Sequence, residues 1–415
     1  MRDQSVIIVG GGVIGACSAY YLRKRGWTVT IVERDRFGAA CSHGNCGLIS
    51  PSHALPLAMP GAVAKTLPMM FKRDAPFRVA PRFDPGLWSW LIKFAMRCKE
   101  APMLLSAAGR HALLQSSVTA YRELLAAEGI DCEWQDQGAY FIYRSQAGMD
   151  SYIQTDKWLQ QFGLGAERVS GQDLESRQPA LLPGIVAGAW FYKIDAHLRP
   201  DKLMTGLRGV LERMGVKIIE GTSIDGFATQ GGMAKALKTT AGDMHADQYL
   251  LALGAWTPKF NSWIGAKIPI QPGKGYSITY PRPASCPTSP LVFMEQKVVA
   301  TPFITGYRLG STMEFAGYDA TINRTRLDAL KRGASLYLKQ PYCEPQEEEW
   351  FGWRPMTYDG KPVIDRSPSM KNVTVAAGHN MLGLSMGSAT GKLVDELMSG
   401  EKPHIDLRQF SIDRF

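Results

Sequence analysis

The sequence predicts an α/β protein in which a sheet of buried parallel strands, flanked by helices, carries an inserted α+β region built on a mainly antiparallel sheet. Three observations point there. The short β-branched run Ser5–Val9 passes directly into Gly10-Gly11-Gly12-Val13-Ile14-Gly15, a glycine pattern that joins a strand to a helix. Comparable apolar runs recur at Thr28–Val32, Tyr249–Leu253 and Val373–Ala377, as expected of strands buried on both faces. Val298–Leu309 and the "GSTMEFAGYD" after it contain alternating and β-branched runs, which suit antiparallel pairing.

The elements follow in order. Residues 16–25 read as a helix stopped by Gly26, and Thr28–Val32 closes a βαβ unit at Glu33. In such a unit Gly10 makes the tight turn, Gly12 admits a pyrophosphate to the backbone, and Gly15 lets helix and strand pack closely. The helix start offers free N–H groups to phosphate. Glu33 would accept hydrogen bonds from ribose hydroxyls and repel a 2′-phosphate, which disfavours NADP and leaves FAD and NAD open. Next, "RDRFGAACSHGNCGLISPS" supplies small and polar residues able to wrap donors around a pyrophosphate or a ring edge, with Ser42 and Asn45 as candidates. Cys41, His43 and Cys46 lack the second ligand pair that a metal site needs, so no metal is expected. Tyr249–Leu253 stops at Gly254, where backbone can approach a ligand, and Trp256 begins the exit. Val373–Ala377 runs into Gly378, and Ser388–Met398 reads as a closing helix with Gly400 beyond it.

Composition narrows the function. The chain of 415 residues is 45% hydrophobic, which suits two domains. Its formal charge of +9 comes from scattered Lys and Arg, and no nucleic-acid module can be read, so no nucleic-acid partner is expected. Seven cysteines without paired spacing suit a reducing compartment. "SVIIVGGG" begins a structural strand with no charged leader before it, and Lys65, Lys72 and Lys93 interrupt the most hydrophobic part. Neither a signal peptide nor a spanning helix is therefore expected. No serine elbow, H-E-x-x-H or obvious triad is present.

Taken together, "VGGGVIGACSAYYL", "CSHGNCGLISPSHALPLAMPG", "YLLALGAWTP", "KGYSITYP", "GWRPMTYDGKPVI" and "GHNMLGLSMGSATGKLVDEL" resemble the D-amino-acid oxidase and glycine oxidase superfamily of FAD enzymes, most closely its bacterial D-amino-acid dehydrogenase branch. The resemblance runs nearly end to end. It implies a Rossmann-like FAD-binding domain formed by residues 1–58, 196–256 and 355–415, and a substrate domain formed by 59–195 and 257–354. Around the cofactor it places Val13, Ile14, Arg34, Cys41, Gly47 and Leu48, then Ala252, Gly254 and Trp256, and lastly Gly378, Asn380, Met381, Gly383, Leu384 and Ser385. Some relatives tether FAD through a cysteine just after the stretch around Arg354, and none follows Cys343, so FAD is expected to be non-covalent.

In "GWRPMTYDG", Arg354 and Pro355 match the family's G-x-R-P motif, whose arginine binds the substrate carboxylate. A guanidinium does this through two parallel hydrogen bonds. The resemblance makes Tyr276 and Tyr280 candidates for the carboxylate or amine, and His379 a candidate near the ring or substrate. Met381 stands where relatives of the glycine-oxidase type can place a second arginine, which favours a larger, less polar substrate than glycine. The implied reaction is oxidative deamination of a D-amino acid, with D-proline or D-hydroxyproline as narrower substrates and a quinone or other acceptor taking the electrons. An oxygen-using glycine, sarcosine or D-amino-acid oxidase is the alternative enzyme, and a flavin-binding electron-transfer subunit the alternative outside catalysis. Residues 55–98 set "LPMMF", "APFRV" and "LWSWLIKFAM" beside Lys72, Arg73, Arg78 and Arg82. That mixture suits either peripheral contact with the inner face of the bacterial cytoplasmic membrane or an ordinary core helix with a solvated basic loop.

Overall fold

The structure is a computed structural model that describes residues 4–67, 75, 77–80 and 82–415. Its first sheet orders Val363–Arg366, Val373–Ala377, Gln248–Leu251, Ser5–Val9, Thr28–Val32 and Lys217–Ile219 side by side. Only the outermost pair, Val363–Arg366 with Val373–Ala377, is antiparallel; the other neighbours are parallel. Helices cover such a sheet on both faces, and Ile8, Val32, Leu250 and Val375 are fully enclosed. The carboxyl ends of its strands, at Val9, Val32, Leu251 and Ala377, share one edge, where ligands of open α/β sheets bind.

Helix Val13–Arg25 packs tightly on helix Gly383–Ser399. A Cβ on Gly391 would lie 2.6 Å from the Cys17 carbonyl carbon, and one on Gly387 would lie 2.6 Å from the Tyr121 hydroxyl. Those glycines explain a difference from the sequence reading. The closing helix begins at Gly383 rather than Ser388, because tertiary contact demands the small residues that intrinsic propensity penalises. The first helix likewise starts at Val13 rather than residue 16. The strand expected at Tyr249–Leu253 ends at Leu251, and a 3₁₀ segment, Gly254–Phe260, follows.

Among the described residues the second sheet has nine strands. Glu348–Thr357 forms its edge, Ile270–Tyr280 lies next, and Tyr307–Phe315 is third. The expected run from Val298 resolves into Val298–Pro302 and Tyr307–Phe315, paired antiparallel. A bulge interrupts the pairing of Ile270–Tyr280 with Tyr307–Phe315 between Lys274 and Tyr276. It is taken up at Ser311 and Thr312, whose φ angles are 112° and 54°. Such an extra residue bends a strand and re-aims its groups.

The segment around residues 55–98 divides. Residues 68–74, 76 and 81 lie outside the described residues, and with them most of "LPMMF", Lys72 and Arg73. In helix Pro85–Arg97, Leu87 and Trp90 are buried, whereas Trp88, Ile92 and Met96 are 44%, 61% and 66% exposed. Arg78 and Arg82 do not offer free charge beside them. Arg78 pairs with Glu314 at 2.8 Å and Arg82 with Asp84 at 2.9 Å.

Candidate functional site

A cavity of about 710 Å³ opens at the carboxyl edge of the parallel sheet and reaches the free edge of the second sheet. Its size falls within the ~300–1,000 Å³ range of small-molecule sites. At one end the βαβ turn is built as its glycines require. A Cβ on Gly10 would lie 2.4 Å from the Ala252 carbonyl oxygen, and one on Gly15 would lie 1.9 Å from the Gly10 oxygen. Gly10, Gly12, Val13 and Ile14 border the cavity; Gly15 does not, since its task is close packing. Glu33 borders it too, accepting from Gly11 N at 2.7 Å and Asp35 N at 3.0 Å. Arg34 lies over the Trp256 ring at 4.3 Å, and Lys259 lies 4.4 Å from the same ring. Ala252, Gly254 and Trp256 complete this end, with Thr222, Ser223 and Ile224, which no motif had marked.

The middle of the cavity lies between the 41–46 loop and the start of the closing helix. Cys41, Ser42 and Asn45 border it, as do Asn380, Met381, Gly383 and Leu384. Several of these residues also shape the loops. The Ser42 hydroxyl accepts from Val13 N at 2.9 Å. Asn45 donates to the Cys41 and Ser42 carbonyls and accepts from Gly47 N at 2.9 Å. Gly47, Leu48, Gly378 and Ser385 stand outside the cavity lining. Gly47 is needed because a Cβ would lie 2.2 Å from the Leu198 oxygen, and Gly378 because one would lie 2.8 Å from the Thr357 methyl. Leu48 pairs in a short strand with His197, and Ser385 bridges Leu48 O and Ser50 N at 3.0 and 3.1 Å. Asn380, at φ 55°, pins its loop through Thr357 and the Gly378 carbonyl.

Arg354 holds the far end. In an antiparallel pair, directly opposed residues share a face of the sheet. Arg354 opposes Gly273, Gly352 opposes Gly275, and Trp350 opposes Ser277. This face is turned to the 41–46 loop: Ser277 Oγ donates to the Gly44 carbonyl at 2.6 Å. Buried Arg308 fastens the same loop, donating to the His43 and Asn45 carbonyls at 3.2 and 2.8 Å. Arg354 Nη1 donates to the Thr312 carbonyl at 2.7 Å, the group that the bulge has re-aimed. Burial pushes the guanidinium's pKa down, and the neighbours that oppose this are the Cys46 and Cys41 thiols. Among the described residues no carboxylate pairs with it. Even a half-buried cation without a counter-charge is costly, which leaves Arg354 free to pair with an anion.

Tyr276 and Tyr280 do not join it. They occupy alternate positions to Gly273 and Gly275, so the strand period sends their side chains to the opposite face. Tyr276 borders the cavity from there, its hydroxyl donating to Glu314 at 2.7 Å; the Tyr280 ring stacks on Tyr342. His379 borders the cavity with its Nε2 at 3.0 Å from the Thr390 hydroxyl, and burial pushes its pKa down to about 3. Burial keeps this imidazole neutral, and Thr390 of the closing helix holds it in place. Gly275 was missed by the sequence reading although it stands in "KGYSITY": a Cβ there would lie 2.4 Å from Arg354 Cζ, Nη1 and Nη2.

The glycine-rich turn, Glu33 and a guanidinium with no carboxylate partner among the described residues all open on one cavity, the arrangement of a cofactor-dependent enzyme. The chain belongs to the FAD dependent oxidoreductase family, whose model matches residues 5–397. It is thus an FAD-dependent oxidoreductase, and the bare turn at Gly10 and Gly12 with Glu33 fits that cofactor. A D-amino acid dehydrogenase of Bradyrhizobium diazoefficiens is 31% identical over 99% of both chains. One of Granulibacter bethesdensis is 32% identical over 99% of both. Among solved structures, glycine oxidase from Geobacillus kaustophilus is similar in fold, with a TM-score of 0.78 and 21% identity over 99% of each chain. No helix among the described residues is long and apolar enough to cross a membrane.

Proposed function

We propose that the protein is a D-amino acid dehydrogenase whose Arg354 holds the substrate carboxylate. The observation that carries this is a half-buried guanidinium whose hydrogen bond goes to a carbonyl, not a carboxylate. Its remaining N–H groups suit a bidentate anion. The names of the full-length relatives support the same activity. Bound FAD supplies the acceptor for the α-hydrogen as hydride. The protein's own part is to fix the acid, exclude water and leave the amine to arrive neutral. Neither His379 nor the Glu314-bound Tyr276 is placed to act as a base. D-Proline and D-hydroxyproline are narrower candidates, and a quinone is the proposed acceptor.

Arg354→Gln tests this. Two charge-assisted hydrogen bonds at ~1.5–3 kcal/mol each correspond to a rise in KM of about 10²-fold or more. A docking subunit would show no such rise. Peroxide yield against dye reduction separates the dehydrogenase from an oxidase. Non-covalent FAD should leave the protein on acid precipitation; colour kept in the pellet refutes it. The exposed Trp88, Ile92 and Met96 support peripheral membrane contact through helix Pro85–Arg97.

A further inference from the structure

The bulge between Ile270–Tyr280 and Tyr307–Phe315 lies beside the Arg354 guanidinium. Tyr276 opposes Ser311, whereas Lys274 opposes Glu314, so Gly275 alone faces both Thr312 and Met313. The guanidinium crosses at that glycine: it lies on Gly275 and reaches the Thr312 carbonyl on the third strand. An ordinary strand carbonyl points along the sheet to its neighbour; a bulge turns one out. Ser311 and Thr312 hold this turn at φ 112° and 54°, a region that disfavours both, and the β-branched threonine most. The Thr312 side chain gives no local reason for it, since its buried hydroxyl has no hydrogen-bond partner among the described residues. Strain of this kind persists where the surrounding structure imposes it.

The extra residue also sorts charge. Continued without it, the register that pairs Ser277 with Gly310 and Tyr276 with Ser311 would bring Glu314 opposite Gly273, whose other neighbour is Arg354. Directly opposed residues share a face, so carboxylate and guanidinium would stand two strand spacings, about 10 Å, apart over bare glycines. Two long side chains close that distance. The bulge moves Glu314 to the far face instead. There it lies between Lys274 and Arg78 on the flanking strands, bound to Arg78 at 2.8 Å and to the Tyr276 hydroxyl at 2.7 Å. Lys274 is fully enclosed, so that face needs the carboxylate as much as the Arg354 face must lack it. Met313 takes the place beside Gly273, where a Cβ on the glycine would lie 3.4 Å from its Sδ. We infer that Ser311 and Thr312 are positioning residues for the carboxylate site: their bulge aims a neutral carbonyl at Arg354 and keeps Glu314 off its face. This rests on Arg354 as that site.

The test measures acetate binding to the holoenzyme from the flavin spectrum. Met313→Glu returns a carboxylate to the Arg354 face and should raise the acetate Kd at least tenfold, whereas Met313→Gln, a neutral group of the same shape, should change it less than threefold. Replacing Ser311 and Thr312 together by glycine, which accepts positive φ, should keep the Kd within threefold of wild type. Replacing both by valine, which does not, should raise it at least tenfold, and Glu314→Gln added to the valine pair should recover at least threefold of that loss. Removing one charge would not repair a merely structural injury. Equal Kd values for the two Met313 proteins, a glycine pair that binds no better than the valine pair, or a valine loss that Glu314→Gln leaves unchanged overturns the inference. The Met313 comparison decides it alone if the valine protein does not fold. Acetate affinity unmoved by Arg354→Gln removes the carboxylate site and the inference together.

Discussion

At the scale of single residues, the site depends on what is missing around a side chain as much as on what is present. Arg354 can lie flat because Gly275 has no Cβ, and it is aimed by one carbonyl, that of Thr312. Gly275→Ala places a methyl where the guanidinium now lies. Acetate affinity should fall about tenfold, because a misplaced fork loses one of two parallel hydrogen bonds at ~1.5–3 kcal/mol, while Tm changes little. An acetate Kd within twofold of wild type would show that the arginine does not need this seat. Arg354 could be singled out in the sequence because G-x-R-P is a local pattern that matches the family's motif. Tyr276 and Tyr280 stand on the face opposite Arg354, which adjacency in "KGYSITY" does not reveal: one register step in a strand reverses the side.

Whole elements obey the same logic of close approach. The closing helix carries Gly383, Gly387 and Gly391, which by propensity argue against a helix. Gly387 and Gly391 are present because helix Val13–Arg25 and the long helix Glu100–Glu128 lie against them. Gly391→Val should cost about 1–3 kcal/mol as overpacking, seen as a Tm several degrees lower; a Tm equal to wild type would mean that the helices are not in contact. Helix Pro85–Arg97 shows the reverse arrangement, with large apolar residues left outside. Replacing Trp88, Ile92 and Met96 together by serine should abolish co-sedimentation with anionic vesicles and leave dye-linked activity intact. Equal sedimentation of both proteins would assign those residues no membrane role.

For the molecule as a whole, buried histidines set the response to acid. Burial pushes His53 and His197 down to about 4 and His379 to about 3. Above the ordinary value of ~6.5 these groups are neutral both folded and unfolded, so their stabilisation is complete there. As pH falls below that value the unfolded chain binds protons first, and stability is lost progressively towards the folded values. Asp195 acts oppositely. Burial raises its pKa to about 7, so it favours the folded state as pH falls from there towards ~3.9. Three histidines against one aspartate leave a net loss in acid. Thermal unfolding of the holoenzyme should shift down between pH 7 and 5, and less so in His197→Gln; a flat or rising Tm would contradict the sign.

Short-range signals were enough to read the βαβ turn and the parallel strands, since each depends on a few consecutive residues whose backbone needs are local; FAD was legible only in the motifs taken together. Contacts between distant segments decided the remainder. They turned Ser42 and Asn45 inward as loop braces, drew the carbonyl of Thr312 onto Arg354, and set Trp350 beside Gly352 under Gly44. Spacing along a chain encodes periodicity and turns; it does not encode which face of one sheet will meet which loop of another, because that is settled only when the two cores pack.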